Sequence, residues 1–147
     1  MTAPILVFGW GNPSRGDDAL GPLFVDRLTD LAPPGVECIT DFQLQVEHAL
    51  DLQDRRRVLF VDASVDAMAP FAVSTIGPLQ DASFTSHAMS PQSVLQVYRD
   101  LNDAPPPPSW LLAIRGERFE LGEPLSANAA TNIEAALAWA INWLAIS

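Results

Sequence analysis

Short apolar runs alternate along this chain with segments of helical spacing, and that alternation leaves few folds open. Residues 5–8, 36–40, 57–64, 71–76 and 110–116 read as strands. The run RVLFVDAS at 57–64 is the strongest of them, continuously apolar until it ends in an acid. Between the strands, 19–31 sets Leu20, Phe24, Leu28 and Leu31 on one helical face. Pro22 suits only the first turn of that helix. Residues 45–53 read as a short helix, and 90–101 opens on Ser-Pro and repeats Val94, Leu95, Tyr98 and Leu101 at helical spacing. The last helix, about 128–145, is expected to bury Ile133, Leu137, Ala140, Ile141 and Leu144. Strands that alternate with helices build an α/β fold, a mainly parallel sheet covered by helices on both faces. With no internal repeat and no break in composition, residues 1–147 read as a single domain. The working site of such a sheet lies beyond the carboxyl ends of its strands, at a topological switch point. The loop after the first strand, Asp62 and the segment after the fourth strand are all expected at that edge.

Charge narrows the partners. Eighteen acids face eight basic residues, all of them Arg, for a net charge of −10. Such a surface repels nucleic acid, because affinity for it depends on neutralising phosphates. The one basic cluster, RRR at 55–57, reads as a solvated entrance to the strand that follows. No apolar run approaches the ~18 residues of a membrane span, so no membrane association is expected. Nothing basic precedes the first apolar stretch, so no secretory signal is expected either. A single cysteine, Cys38, excludes an internal disulfide. The expected home is a reducing cytoplasm.

The loop GWGNPSRGDDALG, residues 9–21, poses the chemical question. Gly9 and Gly11 match the first two glycines of a dinucleotide fingerprint, but Ser14 stands in the third place. The spacing of Gly11 and Gly16 matches a phosphate loop, yet Asp17 occupies the lysine position and Asp18 follows it. Two anions there invert the electrostatics, and a carboxylate pair suits a metal ion or a positively charged group. Asp18 also precedes a helix, where Asp is a good N-cap, and the glycines can serve a tight turn alone. Asp62 ends the strand VLFVD, and His87 stands in the polar loop SFTSHAMSP. Taken singly, Asp62 can cap a turn and His87 can simply be exposed. Together with Asp18 they supply two carboxylates and an imidazole from three loops, an open metal site with positions left for water or substrate. Their sequence spacing does not choose between these readings. His48, inside VEHALDL, reads as structural, and Cys38 as a small hydrophobe. Ser64 and Ser86 lack the setting of a nucleophile elbow, and no HExxH helix is present.

Four segments in order, GWGNPSRGDDALGP, RVLFVDAS, FTSHAMSPQSVL and IRGERFELGEPLS, resemble the hydrogenase maturation endopeptidases across nearly the whole chain. Those enzymes process the large subunit of nickel–iron hydrogenases. The resemblance implies a three-layer α/β/α sandwich around a five-stranded twisted sheet. It places the family's metal-binding acids on Asp18, where many members have Glu, and on Asp62, and the family's histidine on His87. These three become the implied catalytic and metal-contacting residues. The implied metal is nickel carried by the substrate, with the resting metal unspecified. The implied partner is a large-subunit precursor, which loses a C-terminal extension after nickel insertion. Several members carry a DGGT-like segment after the second strand. This chain reads TDFQLQVEHAL there, a version resembling the proteases of soluble, NAD-linked hydrogenases. Gln43 and Gln45 are the implied substrate contacts. Two rival functions stand beside this one: a nucleotide-binding module with a degenerate glycine loop, and a non-catalytic metallochaperone or scaffold for the large subunit.

Overall fold

In a computed structural model that describes residues 2–79 and 89–146, five strands form one sheet. They are β1 (Ile5–Trp10), β2 (Val36–Asp41), β3 (Arg57–Ser64), β4 (Phe71–Ile76) and β5 (Ser109–Arg115), in the spatial order β2-β1-β3-β5-β4. Side chains alternate across the pleat, and β1 and β3 are apolar on both faces. Leu6, Phe8, Trp10, Val58 and Phe60 point to one face, where Leu44, Leu52, Val94 and Leu95 meet them. Val7, Leu59 and Val61 point to the other, against Phe24, Leu28, Ile133 and Trp143. Helices α1 (Leu20–Leu31) and α3 (Ala127–Ala145) cover the second face. Helix α2 (Pro91–Asn102) and a 3₁₀ segment, Val46–Leu52, cover the first. This is the expected three-layer sandwich, with a 3₁₀ segment in place of the short helix expected over 45–53. Among the described residues no helix is long and apolar enough to cross a membrane.

Four expectations shift. Leu31 ends α1 and is 58% exposed, because Leu28 one turn earlier already fills the core. Ile141 is 50% exposed. The buried stripe of α3 runs instead through Ala129, Ile133, Ala136, Ala140 and Trp143, where three alanines let the helix lie close to the sheet. The cluster at 55–57 is not simply solvated. Arg55 donates to Asp51 O at 2.9 Å and Ala3 O at 2.9 Å and pairs with Glu37 at 2.5 Å. Arg57 reaches the end of α3, which leaves Arg56 as the exposed member. Finally, β4 is antiparallel to β5, with Ile76 opposite Ser109, so the chain leaves β4 at the amino edge of the sheet. Leu79 N–H bonds Gln92 O in the first turn of α2. Met89 N–H bonds Leu44 O and ties the start of α2 to the turn after β2.

Candidate active site

Strand β1 lies between β2 and β3 and pairs in parallel with both. The connection through α1 leads from β1 outward to β2, and the next crossing returns to β3 on the other side. The switch point of the sheet is therefore the gap between the carboxyl ends of β1 and β3, where open α/β sheets place their ligands. Asp18 follows β1 in a 3₁₀ turn, Gly16–Ala19, and Asp62 sits in the last half of β3 opposite Ala113 of β5. Both acids singled out from the sequence thus flank that gap.

The first loop owes its shape to bonds within itself and to its neighbours. Gly11 N–H donates to Asp41 O at 3.0 Å, and Asn12 N–H to Asp18 Oδ2 at 2.8 Å. Ser14 N–H donates to Asn12 Oδ1 at 2.9 Å, Arg15 N–H to Asn12 O at 3.1 Å, and Asp18 N–H to Arg15 O at 3.0 Å. Asp17 N–H donates to Arg118 O at 2.6 Å. A phosphate loop needs these donors turned outward to a ligand; here they are spent inside the protein. Gly11 has φ +147°, and a Cβ on it would run into the carbonyl oxygen of Asp18. Its glycine serves the crossing of two backbone segments. The degenerate nucleotide-binding reading loses its structural basis.

The adjacent acids diverge. Asp17 is fully buried, and its carboxylate accepts from Glu117 N at 2.7 Å, Arg118 N at 3.1 Å, Ser126 N at 2.7 Å and Ser126 Oγ at 2.7 Å. Burial works to raise its pKa, but the bonds from Glu117, Ser126 and Arg118 hold it below the ordinary carboxylate value. The expectation of a carboxylate pair facing one cation is therefore corrected to a single carboxylate from this loop. Asp18 is not an N-cap either. The cap positions of the turn and of α1 are Arg15 and Ala19, and Asp18 stays half-exposed with one oxygen on Asn12.

Asp62 is the electrostatic centre of the edge. Burial pushes its carboxyl up to about 7; the Asp18 charge adds to the rise, and the 2.8 Å bond from Ala63 N–H opposes it. A carboxylate that is costly to ionise beside a second carboxylate is a site lacking positive charge, which fits a cation. Among the described residues no group of three or more His, Cys, Asp or Glu side chains is placed to hold a metal. The gap is flanked by two carboxylates, Asp18 and Asp62, each within reach of the other's charge. His87 lies outside the described residues.

No protein-family model and no curated protein matches the sequence. Solved structures do match. The hydrogenase maturating endopeptidase HybD from Escherichia coli is 26% identical, with a TM-score of 0.74 over 98% of this chain and 92% of that one. The [NiFe] hydrogenase maturation protease HycI from Thermococcus kodakarensis is 21% identical, with a TM-score of 0.72 over 97% and 92%. A hydrogenase 2 maturation peptidase from a Thaumarchaeota archaeon is 23% identical, with a TM-score of 0.67 over 97% and 99%. This chain has the hydrogenase maturation protease fold.

In this maturation-protease fold the turn after β2 borders the same edge. Gln43 and Gln45 lie in it, both half-buried. Gln45 N–H donates to His48 Nδ1 at 2.8 Å, which leaves His48 Nε2 to carry the proton toward Asp41 Oδ2 at 3.2 Å. His48 is buried against Phe8, edge-on at 4.5 Å between ring centroids, so its structural reading holds. Asp41 was not singled out from the sequence. Like Asp62, it is an acid near the end of an apolar strand, and that shared position was the available signal. Phe42 N–H and His48 fix its two oxygens and hold its half-exposed carboxylate at the rim of the site.

Proposed function

We propose that this protein is an endopeptidase that removes the C-terminal extension from the precursor of a nickel–iron hydrogenase large subunit after nickel insertion. The observation that carries the reading is the pairing of Asp18 and Asp62 at the switch point of a maturation-protease fold, with the Asp62 carboxyl raised to about 7. A cation brought to the gap returns Asp62 to its charged form and relieves its repulsion with Asp18. Nickel held by the substrate already has most of its ligands, so a partial set of Asp18, Asp62 and His87 is enough to recognise it. A metal so placed can polarise a carbonyl or lower the pKa of water. Gln43 and Gln45 contact the substrate from the turn after β2, and their sequence context favours the subgroup serving soluble, NAD-linked hydrogenases. The reaction takes place in the cytoplasm.

An incomplete site binds a lone ion weakly and closes over one carried by a partner, so metal and substrate are coupled ligands. A tenfold preference for the nickel-loaded precursor needs only about 1.4 kcal/mol of coupling. The test is mass spectrometry of matched precursor preparations, with and without nickel, before and after incubation with this protein. Loss of the extension from the loaded form alone is expected. Equal cleavage of both forms sinks nickel recognition. Cleavage of neither, with binding retained, turns the reading to the scaffold.

A further inference from the structure

The proposed chemistry does not use Asp17, yet this is the most completely bonded side chain at the site. Its four partners lie on Glu117, Arg118 and Ser126, about a hundred positions along the chain. They belong to the loop that joins β5 to α3. The same two loops meet at two backbone bonds, Asp17 N–H to Arg118 O at 2.6 Å and Gly122 N–H to Ser14 O at 2.7 Å. The Ser126 hydroxyl donates to Asp17 and also accepts from Ala129 N–H at 3.2 Å, so it caps α3 while it holds the first loop. A buried carboxylate that accepts three backbone N–H bonds and a hydroxyl has no capacity for a ligand. It has every capacity to fix backbone, because each bond to a charged acceptor is short, directional and expensive to leave unmade.

We infer that Asp17 is a positioning residue: it registers the first loop against the 116–126 loop and thereby sets where the Asp18 carboxylate stands relative to Asp62. The inference rests on the proposed role of Asp18 and extends it to a residue that contacts neither metal nor substrate. The lever arm is short. Asp17 and Asp18 share one 3₁₀ turn, and the Asp18 carboxylate accepts from Asn12 N–H at 2.8 Å. If the inner bonds loosen, the turn is free to shift, and displacements of about 1 Å in a reacting site can cost up to about a hundredfold in rate. Because the loop 116–126 leads directly into α3, the placement of an N-terminal ligand is decided by the C-terminal third of the chain.

Asp17→Asn opposes an amide NH₂ to buried donors and can prevent folding, so the informative variant is Ser126→Ala. It removes one of the four bonds and leaves Asp17 on three backbone N–H groups. Ser126→Thr keeps the hydroxyl and serves as the rescue. Two readouts apply to folded protein. The first is the Asn12 amide, followed by NMR shift and hydrogen exchange, which reports whether the Asp18 oxygen is in place. The second is precursor processing, measured as kcat/KM. The expected result for Ser126→Ala is a shifted, faster-exchanging Asn12 amide and a kcat/KM lowered about tenfold, both restored in Ser126→Thr. An unmoved Asn12 amide in folded Ser126→Ala overturns the inference. If the wild-type protein processes nothing, the functional reading fails separately, and the Asn12 amide alone still decides the role of Asp17.

Discussion

Replacing Asp18 with Asn keeps an oxygen for the Asn12 N–H and removes a charge that raises Asp62. The fold should change in stability by less than about 1 kcal/mol, the scale of one retained hydrogen bond. Processing should be lost, because the amide no longer offers a charged oxygen to the ion. A thermal melt beside a processing assay checks both halves, and a well-folded Asp18→Asn protein that processes normally removes Asp18 from the site. Asp62 makes a prediction in pH. Its carboxyl sits at about 7 in the fold against 3.8 for an ordinary Asp. Between those values the folded state holds a proton that the unfolded state has released. Stability therefore falls as pH rises through that window and stays lowered above it. Asp62→Asn has no such proton, and its oxygen can still take the Ala63 N–H. In the presence of a chelator, the variant should melt above the wild type near pH 8, and the advantage should vanish near pH 3.5. An advantage independent of pH contradicts the assignment.

At the scale of an element, the end of α3 depends on a residue from the start of β3. Arg57 Nη1 donates to Trp143 O at 3.0 Å, Nη2 donates to Ile146 O at 2.8 Å, and its guanidinium lies 4.4 Å from the Trp143 ring centroid. A cation at a helix C-terminus meets the negative end of the dipole, and here it adds a second bond to Trp143 O, which also accepts from Ile146 N–H at 3.3 Å. Arg57→Gln removes the charge and the fork together and should cost about 1–2 kcal/mol. Arg57→Lys should recover only part of it, since an ammonium cannot hold two carbonyls and cover a ring at once. Urea denaturation measures the loss, and faster amide exchange confined to the last turn of α3 assigns it. Nothing in RRR marks which arginine turns inward, because that choice follows from the packing of α3.

For the molecule as a whole, the site exists because α1 can lie directly on the sheet. Gly21, in the first turn of α1, faces backbone on all sides: a Cβ there would strike Trp10 O and come within 2.9 Å of Trp10 N and Val61 O. Gly9 on β1 mirrors it, since its Cβ would strike Gly21 O. Helix propensity alone favours Gly21→Ala by about 1 kcal/mol. Backbone atoms cannot rotate away as a side chain can, so overpacking should win and the variant should be destabilised by about 2–3 kcal/mol. Chemical denaturation gives the sign directly, and a stabilised Gly21→Ala protein refutes this account of the packing. Processing should fall as well, because the same displacement separates the loop bearing Asp18 from the strand bearing Asp62.

The order of strands and helices, the two-faced burial of β1 and β3, and the candidacy of Asp18 and Asp62 were all legible in the residues. Each depends on local spacing: apolar runs of strand length, helical repeats, and acids where an apolar strand or a glycine loop ends. The partition between Asp17 and Asp18 was not legible. Neighbouring residues of one type carry the same local signal, and only the loop 116–126, about a hundred positions away, decides which carboxylate is buried. The same holds for the antiparallel β4, the burial of Trp143 over Ile141, the inward turn of Arg55 and Arg57, and the Asp41–His48 pair. Periodicity identifies which residues can face a core, but which of them do so depends on distant backbone, whose hydrogen bonds and close contacts form only once the sheet has closed around them.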